Sequence, residues 1–296
     1  MIDNSNEDHL LKVADNLKLI PVVGVFPIEN TGAEFFEKRN GMVTVNIAPV
    51  RGKWAYGKIP RLILLYLRSL ITERSEKVDF DNKTIVFNES FRSFCKHAGL
   101  TYYGGLAEKV DEMLNHMLNT TIQLRGRFGA KEEQILAVGN YRIFDYGEFH
   151  FHDVDASRKT YIKLSDLLWR ILTENCVPLS RDITAQLGRS PRALDIYQWL
   201  AYRTYALNKP AVISWENLRS QFDSADTPMY SFKRKFCQSL EKVSDAWPEL
   251  VISVGEKGLT VYPTGSSLTS GRRKQNTPKQ RVVSSVRESV TTENPF

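Results

Sequence analysis

Cysteine is scarce in this chain of 296 residues. The three present, Cys95, Cys176 and Cys237, stand far apart and form no C-x-x-C pair. That spacing argues against a disulfide framework or a paired redox thiol, and it suits a reducing compartment. No Cys/His cluster has the spacing of a structural zinc site. Long apolar runs are also missing. The run "LILLYL" (62–67) is far short of the roughly 20 residues that span a bilayer. The opening "MIDNSNEDHLLK" is polar and acidic, unlike a signal peptide. A soluble, cytoplasmic protein without membrane contact is therefore expected. No glycine-rich loop of the G-x-x-x-x-G-K-[ST] type occurs, which argues against an ATPase, and no cofactor is expected. Acidic residues are outnumbered, 34 against 40 Lys and Arg, for a formal net charge of +6. The surplus permits binding to nucleic acid or acidic lipid without choosing between them. What remains is ordinary globular composition, with enough apolar residues for two modest cores.

Apolar periodicity organises the chain into two similar cycles. Residues 1–40 read as loosely structured. "GMVTVNI" (41–47) alternates like a strand. "YGKIPRLILLYLRSLITERS" follows as a helix, with Pro60 at its start, where a missing N–H costs nothing. "KTIVF" (83–87) reads as a strand. "NESFRSFCKHAGL" (88–100) reads as a short helix opened by a capping asparagine and stopped at Gly99. "GGLAEKVDEMLNHMLNTT" makes a third helix, and "TIQLRGRF" and "EQILAVGNYRIFDYGEFHFHDV" (133–154) read as strands. After the strand "TYIKLS" and a helix capped by Ser165, the order repeats. "SPRALDIYQWLAYRTYAL" (190–207), "SWENLRSQF" (214–222) and a long helix opened by Thr227 and Pro228 lead to the hairpin "LVISVGEKGLTVYP" (250–263). Three helices closed by a hairpin describe a winged helix. The expected class is α+β, with tandem winged-helix domains at 41–158 and 159–264. Beyond Thr264 the Ser-, Thr-, Arg- and Lys-rich composition predicts a disordered basic tail over 265–296.

The long helix of the second cycle carries the most specific signal. Met229, Phe232, Phe236, Leu240, Val243 and Trp247 step by threes and fours and make one core stripe. The opposite face then presents Ser231, Arg234, Gln238 and Lys242, with Tyr230 at its start and Lys235 beside it. Lys233 falls near the core edge and has to snorkel outward. Three cations in a row crowd the positive end of a helix dipole, an arrangement that calls for an anion. Arg and Gln are the side chains that read guanine and adenine in the major groove. A DNA reader is the sharp expectation, with Lys257 at the hairpin tip as a wing contact. A solvated face with a chance cluster is the bland one.

The third helix of the first cycle reads differently. Leu106, Val110, Met113, Leu114 and Met117 form its core stripe, leaving Glu108, Asp111, Glu112 and Asn115 outward. Carboxylates repel phosphate, so this unit is expected to hold a partner or a second copy. Arg125 and Arg127, on the following strand, are candidates for backbone phosphate contacts. "HFHDVD" (150–155) offers a competing chemistry. On a strand, His150 and His152 share a face and could hold a divalent metal, with Tyr161, Tyr202 or Tyr205 as the nucleophile of a DNA-nicking enzyme. Two histidines without a third ligand are a weak site.

Several motifs carry a family likeness. Gly57 with Pro60–Leu62, Ser90 or Ser93 with Phe94, Gly99–Leu100, Gly104–Gly105, and Asp195, Tyr197 and Leu200 resemble the pattern of the RepA-type plasmid replication initiators. The likeness spans roughly 55 to 263, and "ITERSEKVDF" departs from the family's small-residue helix ending. It implies a tandem winged-helix protein that binds repeated double-stranded sites at a plasmid origin. It also implies melting of nearby DNA, recruitment of host helicase machinery, and a monomer–dimer equilibrium tied to repression of its own gene. It implies no catalytic residue. A winged-helix transcriptional repressor and the His150/His152 nickase stand as alternatives.

Overall fold

The computed structural model describes residues 25–30, 32–40, 43–128, 135–153, 158–174, 177–223 and 227–264. The basic tail expected over 265–296, and Cys176, lie outside them.

Two winged-helix units follow one another. In the first, α1 (Lys58–Thr72) packs on α2 (Phe91–Ala98) and α3 (Leu106–Leu118). Its sheet has the order β3-β4-β8-β7, from β3 (Val78–Asp79), β4 (Thr84–Phe87), β7 (Phe144–Glu148) and β8 (Thr160–Leu164). In the second, α6 (Pro191–Ala206) and α7 (Trp215–Phe222) pack on α8 (Met229–Ala246), and α7 also packs on a three-stranded sheet of order β10-β11-β9. Its strands are β9 (Ala211–Ser214), β10 (Ile252–Gly255) and β11 (Gly258–Val261). Two short helices, α4 (Asp166–Glu174) and α5 (Arg181–Leu187), join the units.

The wing of the first unit is not the hairpin that directly follows its third helix. That hairpin, β5 (Thr120–Phe128) with β6 (Ile135–Arg142), joins β1 (Phe36–Asn40) and β2 (Val43–Pro49) in a separate antiparallel sheet. The wing is β7–β8, with Ile162 opposite Ile85 of β4. The two hairpins alternate alike, and only a pairing between segments far apart in sequence separates them. The division expected at 158/159 falls inside this wing. Residues 25–40, read as loose, contain a strand and the buried Val25 and Phe26.

Local chemistry sets the helix ends. Ser90 rather than Asn88 caps α2, accepting from Ser93 N–H at 3.3 Å. Gly99 ends it in the left-handed region, at φ 71°, where glycine carries no Cβ penalty. Ser214 caps α7 and Pro191 occupies the first turn of α6.

The buried side chains form one contiguous core through both units. Arg61 of α1 crosses it. Fully buried, it makes a bidentate pair with Asp195 of α6, Nε to Oδ1 and Nη2 to Oδ2, each 2.8 Å. Its other donors reach the carbonyls of Phe26, Pro27 and Gly57. Both partners belong to the sequence motifs noted above. A buried guanidinium is tolerated only when every donor is matched, and here each finds an acceptor.

Candidate nucleic-acid interface

Helix α8 follows from its apolar stripe. Phe232, Phe236, Leu240 and Val243 are buried, and Trp247 closes the far end. The stripe fixes the helix rotation, so the opposite side is solvent-exposed. Tyr230, Arg234, Lys235, Gln238 and Lys242 are exposed there, and Ser231 is half-buried. The first turn holds no acidic residue. Glu241 and Asp245 are exposed in the second half, so anion-binding potential is concentrated at the N-terminal end.

Lys233 behaves differently from its neighbours. Its Nζ lies 5.2 Å from the ring centroid of Trp215, a cation–π contact on the half-buried flank of the helix. Cys237, on the same helix, has its thiol pushed up to about 11 by burial and the nearby Glu241, which keeps it an inert packing group.

The wing stands beside this helix. Gly255 pairs with Gly258, leaving Glu256 and Lys257 as an exposed two-residue tip. Gly258 is required by space: a Cβ there would lie 1.9 Å from the Ile213 carbonyl oxygen on β9. Sequence reasoning missed Trp215. It is buried, and its indole Nε1–H donates to the Gly255 carbonyl at 3.1 Å. A tryptophan just after a capping serine was the available signal, since a buried indole N–H needs an acceptor.

Arg125 is exposed on β5, donating to Gln123 Oε1 at 2.9 Å. It stands on the sheet that includes β1 and β2, which shares no strand with the sheet of the second unit's wing. Arg127 lies on the same strand, and its side chain is outside the described residues.

Helix α3 needs a correction. Glu108, Glu112 and Asn115 are exposed, but Asp111 is buried. Its carboxylate accepts from Phe151 N–H at 3.4 Å and His152 N–H at 3.1 Å, and it pairs with the His152 imidazole. The wing loop of the first unit folds over that edge of the helix and hides it. Within the "HFHDVD" stretch, His150–Asp153 are correspondingly not a strand, and Val154 and Asp155 lie outside the described residues. β7 ends at Glu148, and His150–Asp153 form a turn in which His150 Nδ1 meets Asp153 Oδ2 at 2.8 Å. The two imidazoles hydrogen-bond to different carboxylates, although His152 Nε2 also lies 4.0 Å from Asp153 Oδ1. Among the described residues, no group of three or more His, Cys, Asp or Glu side chains is placed to hold a metal ion. None of the described helices is long and apolar enough to cross a membrane.

The Asp111 partnership raises the His152 pKa, by hydrogen bond first and charge second. A raised folded-state value means that the contact stabilises the fold fully below about pH 6.5, the ordinary imidazole value, and fades as pH rises through the folded one. Asp111→Asn is expected to return the His152 titration, followed by NMR, toward the ordinary value. An unchanged midpoint would show that the pair is not formed in solution.

Against known proteins, no individually curated sequence matches the chain. Its fold is similar to a crystal structure of domains 2 and 3 of RctB, at 12% identity and a TM-score of 0.55. That match covers 84% of this chain and 98% of the other. A second crystal structure of RctB domains 2–3 aligns at 11% identity and a TM-score of 0.46, over 78% and 90%. The profile of the family described as plasmid encoded RepA protein matches residues 54–217, from just before the Gly57–Leu62 motif to the first turn of α7 and more than half of the chain. With the motif residues Arg61 and Asp195 joined in its core and two winged helices built around them, this chain belongs to the plasmid encoded RepA protein family, the initiator family that its sequence resembles.

Proposed function

We propose that the protein initiates plasmid replication by binding repeated double-stranded origin sites, opening nearby DNA and recruiting host helicase machinery. The observation that carries this reading is the exposed N-terminal face of α8, with Arg234, Lys235 and Gln238 beside a wing tipped by Lys257. An α-helix fits the major groove, where Arg and Gln make bidentate base contacts, and the wing lies within reach of backbone phosphate. The first unit, with Glu108 and Glu112 exposed on its third helix, serves a partner or a second copy in a monomer–dimer equilibrium. Function then rests on binding and DNA distortion rather than bond chemistry, in the cytoplasm where the plasmid resides. The test is a plasmid carrying only this gene and its flanking DNA. It should be maintained autonomously in a host, and lost when Arg234, Lys235 and Gln238 are all changed to Ala. Failure of the unaltered plasmid to replicate, with specific binding intact, would favour a repressor instead.

His150→Ala with His152→Ala is expected to leave that maintenance largely intact. A metal-dependent nick on supercoiled origin DNA that disappears in the double variant would overturn the binding-only mechanism.

A further inference from the structure

We infer that Trp215 is a positioning residue that sets the wing tip against the reading helix; this rests on the DNA-binding reading above. Trp215 is the first residue of α7 and is only 4% exposed, so it does not touch a ligand itself. Three elements meet at its side chain and amide. Its backbone N–H donates to the Lys257 carbonyl at 3.4 Å, and its indole N–H donates to the Gly255 carbonyl at 3.1 Å. Those carbonyls flank Glu256, so both sides of the wing turn are tied to one residue. The ring lies under the Lys233 ammonium and meets the Phe236 ring edge-on, with centroids 6.1 Å apart. Lys233 and Phe236 belong to α8, on the flank and the buried side of the same stretch that exposes Arg234 and Gln238. On the other side, Gly258 lets β11 press against the Ile213 carbonyl, two residues before Trp215 in sequence.

The consequence is geometric. β11 is held by β9 up to the Gly258–Ser214 pair, so the freedom left to the turn lies on the side of the edge strand β10, and movement there shifts Lys257 relative to α8. The indole bond removes that freedom. Phosphate contact by Lys257 and base contact by α8 can then be made together, without an ordering cost at binding. Lys233 has a structural part in the same joint, because its cation is engaged with the ring instead of standing free beside Lys235.

The experiment is a double-mutant cycle on a duplex carrying one repeat from the DNA flanking this gene, titrated at several salt concentrations. Lys257→Ala alone is expected to lower the salt slope by about one unit, the loss of one phosphate contact. Trp215→Phe keeps a ring but removes the indole donor. It is expected to lower the slope by the same amount while preserving base preference, and Lys257→Ala added to it should change nothing more. Trp215→Leu, which has no side-chain donor, should behave alike. In the free protein, both Trp215 variants should speed hydrogen exchange at residues 255–258 and leave the α8 amides protected. Additive slopes, or a Trp215→Phe protein indistinguishable from wild type, would overturn the positioning role while leaving the DNA reading intact. A Lys257→Ala protein with an unchanged slope would overturn the wing contact and the positioning role with it, whereas the α8 contacts are judged separately by base preference.

Discussion

Asp195→Ala is expected to cost about 3–5 kcal/mol of folding stability, the typical penalty for stranding one partner of a buried ion pair. The Arg61 guanidinium it leaves behind is fully buried and cannot shed its charge. The opposite deletion fails differently. Arg61→Met leaves the Phe26, Pro27 and Gly57 carbonyls without their donor as well as orphaning Asp195. It should therefore loosen residues 25–30 in addition to lowering stability. Combining Arg61→Met with Asp195→Leu should recover part of the loss on the α6 side, because an apolar pair needs no matched charge. Urea unfolding of the wild type, Arg61→Met, Asp195→Leu and the double variant closes the cycle and gives the coupling, with Asp195→Ala measured beside them. A cost below about 1 kcal/mol for Asp195→Ala would mean that the pair is solvated in solution and does not bind the units together.

Arg234→Ala is expected to flatten preference at one base pair, at a cost of about 1–3 kcal/mol on the cognate site and little on others. Lys235→Ala should instead weaken all sequences alike and lower the salt slope by about one unit. The two side chains are adjacent on α8 and both exposed, so a nonspecific loss of positive charge would affect them equally. The difference between their failure modes is what identifies a helix seated in the groove. Titrations on the cognate site and on point-substituted sites, across salt, separate them. If Arg234→Ala binds every site as the wild type does, α8 is not the reader.

The second unit was more legible than the first, for reasons visible in particular residues. The Phe232–Phe236–Leu240–Val243 stripe is narrow enough to fix which face of α8 is exposed, so the basic face followed from spacing alone. The hairpin at 252–261 was readable because its turn is bounded by Gly255 and Gly258. In the first unit, two hairpins in succession could each have served as the wing. The choice depends on β4 pairing with β8, more than seventy residues on, which no local pattern encodes. Asp111 was misplaced because a helical wheel sees only its own helix, and the covering loop comes from 151–152. Arg61 and Asp195 were noticed as motif residues but not as partners. An arginine set among Pro60, Leu62, Ile63 and Leu64 was the signal that a buried acceptor had to exist somewhere.

The buried Arg61–Asp195 pair also bears on how this protein can be divided or recombined. A fragment cut at 158/159 would carry β8 without its hydrogen-bonded neighbours β4 and β7, and Asp195 without its guanidinium. The second unit is thus not a portable cassette. Exchanging it between two members of the family requires that the recipient present an arginine where Arg61 stands. The safer exchange is of the exposed residues of α8 and the wing tip, which leaves the seam between the units untouched.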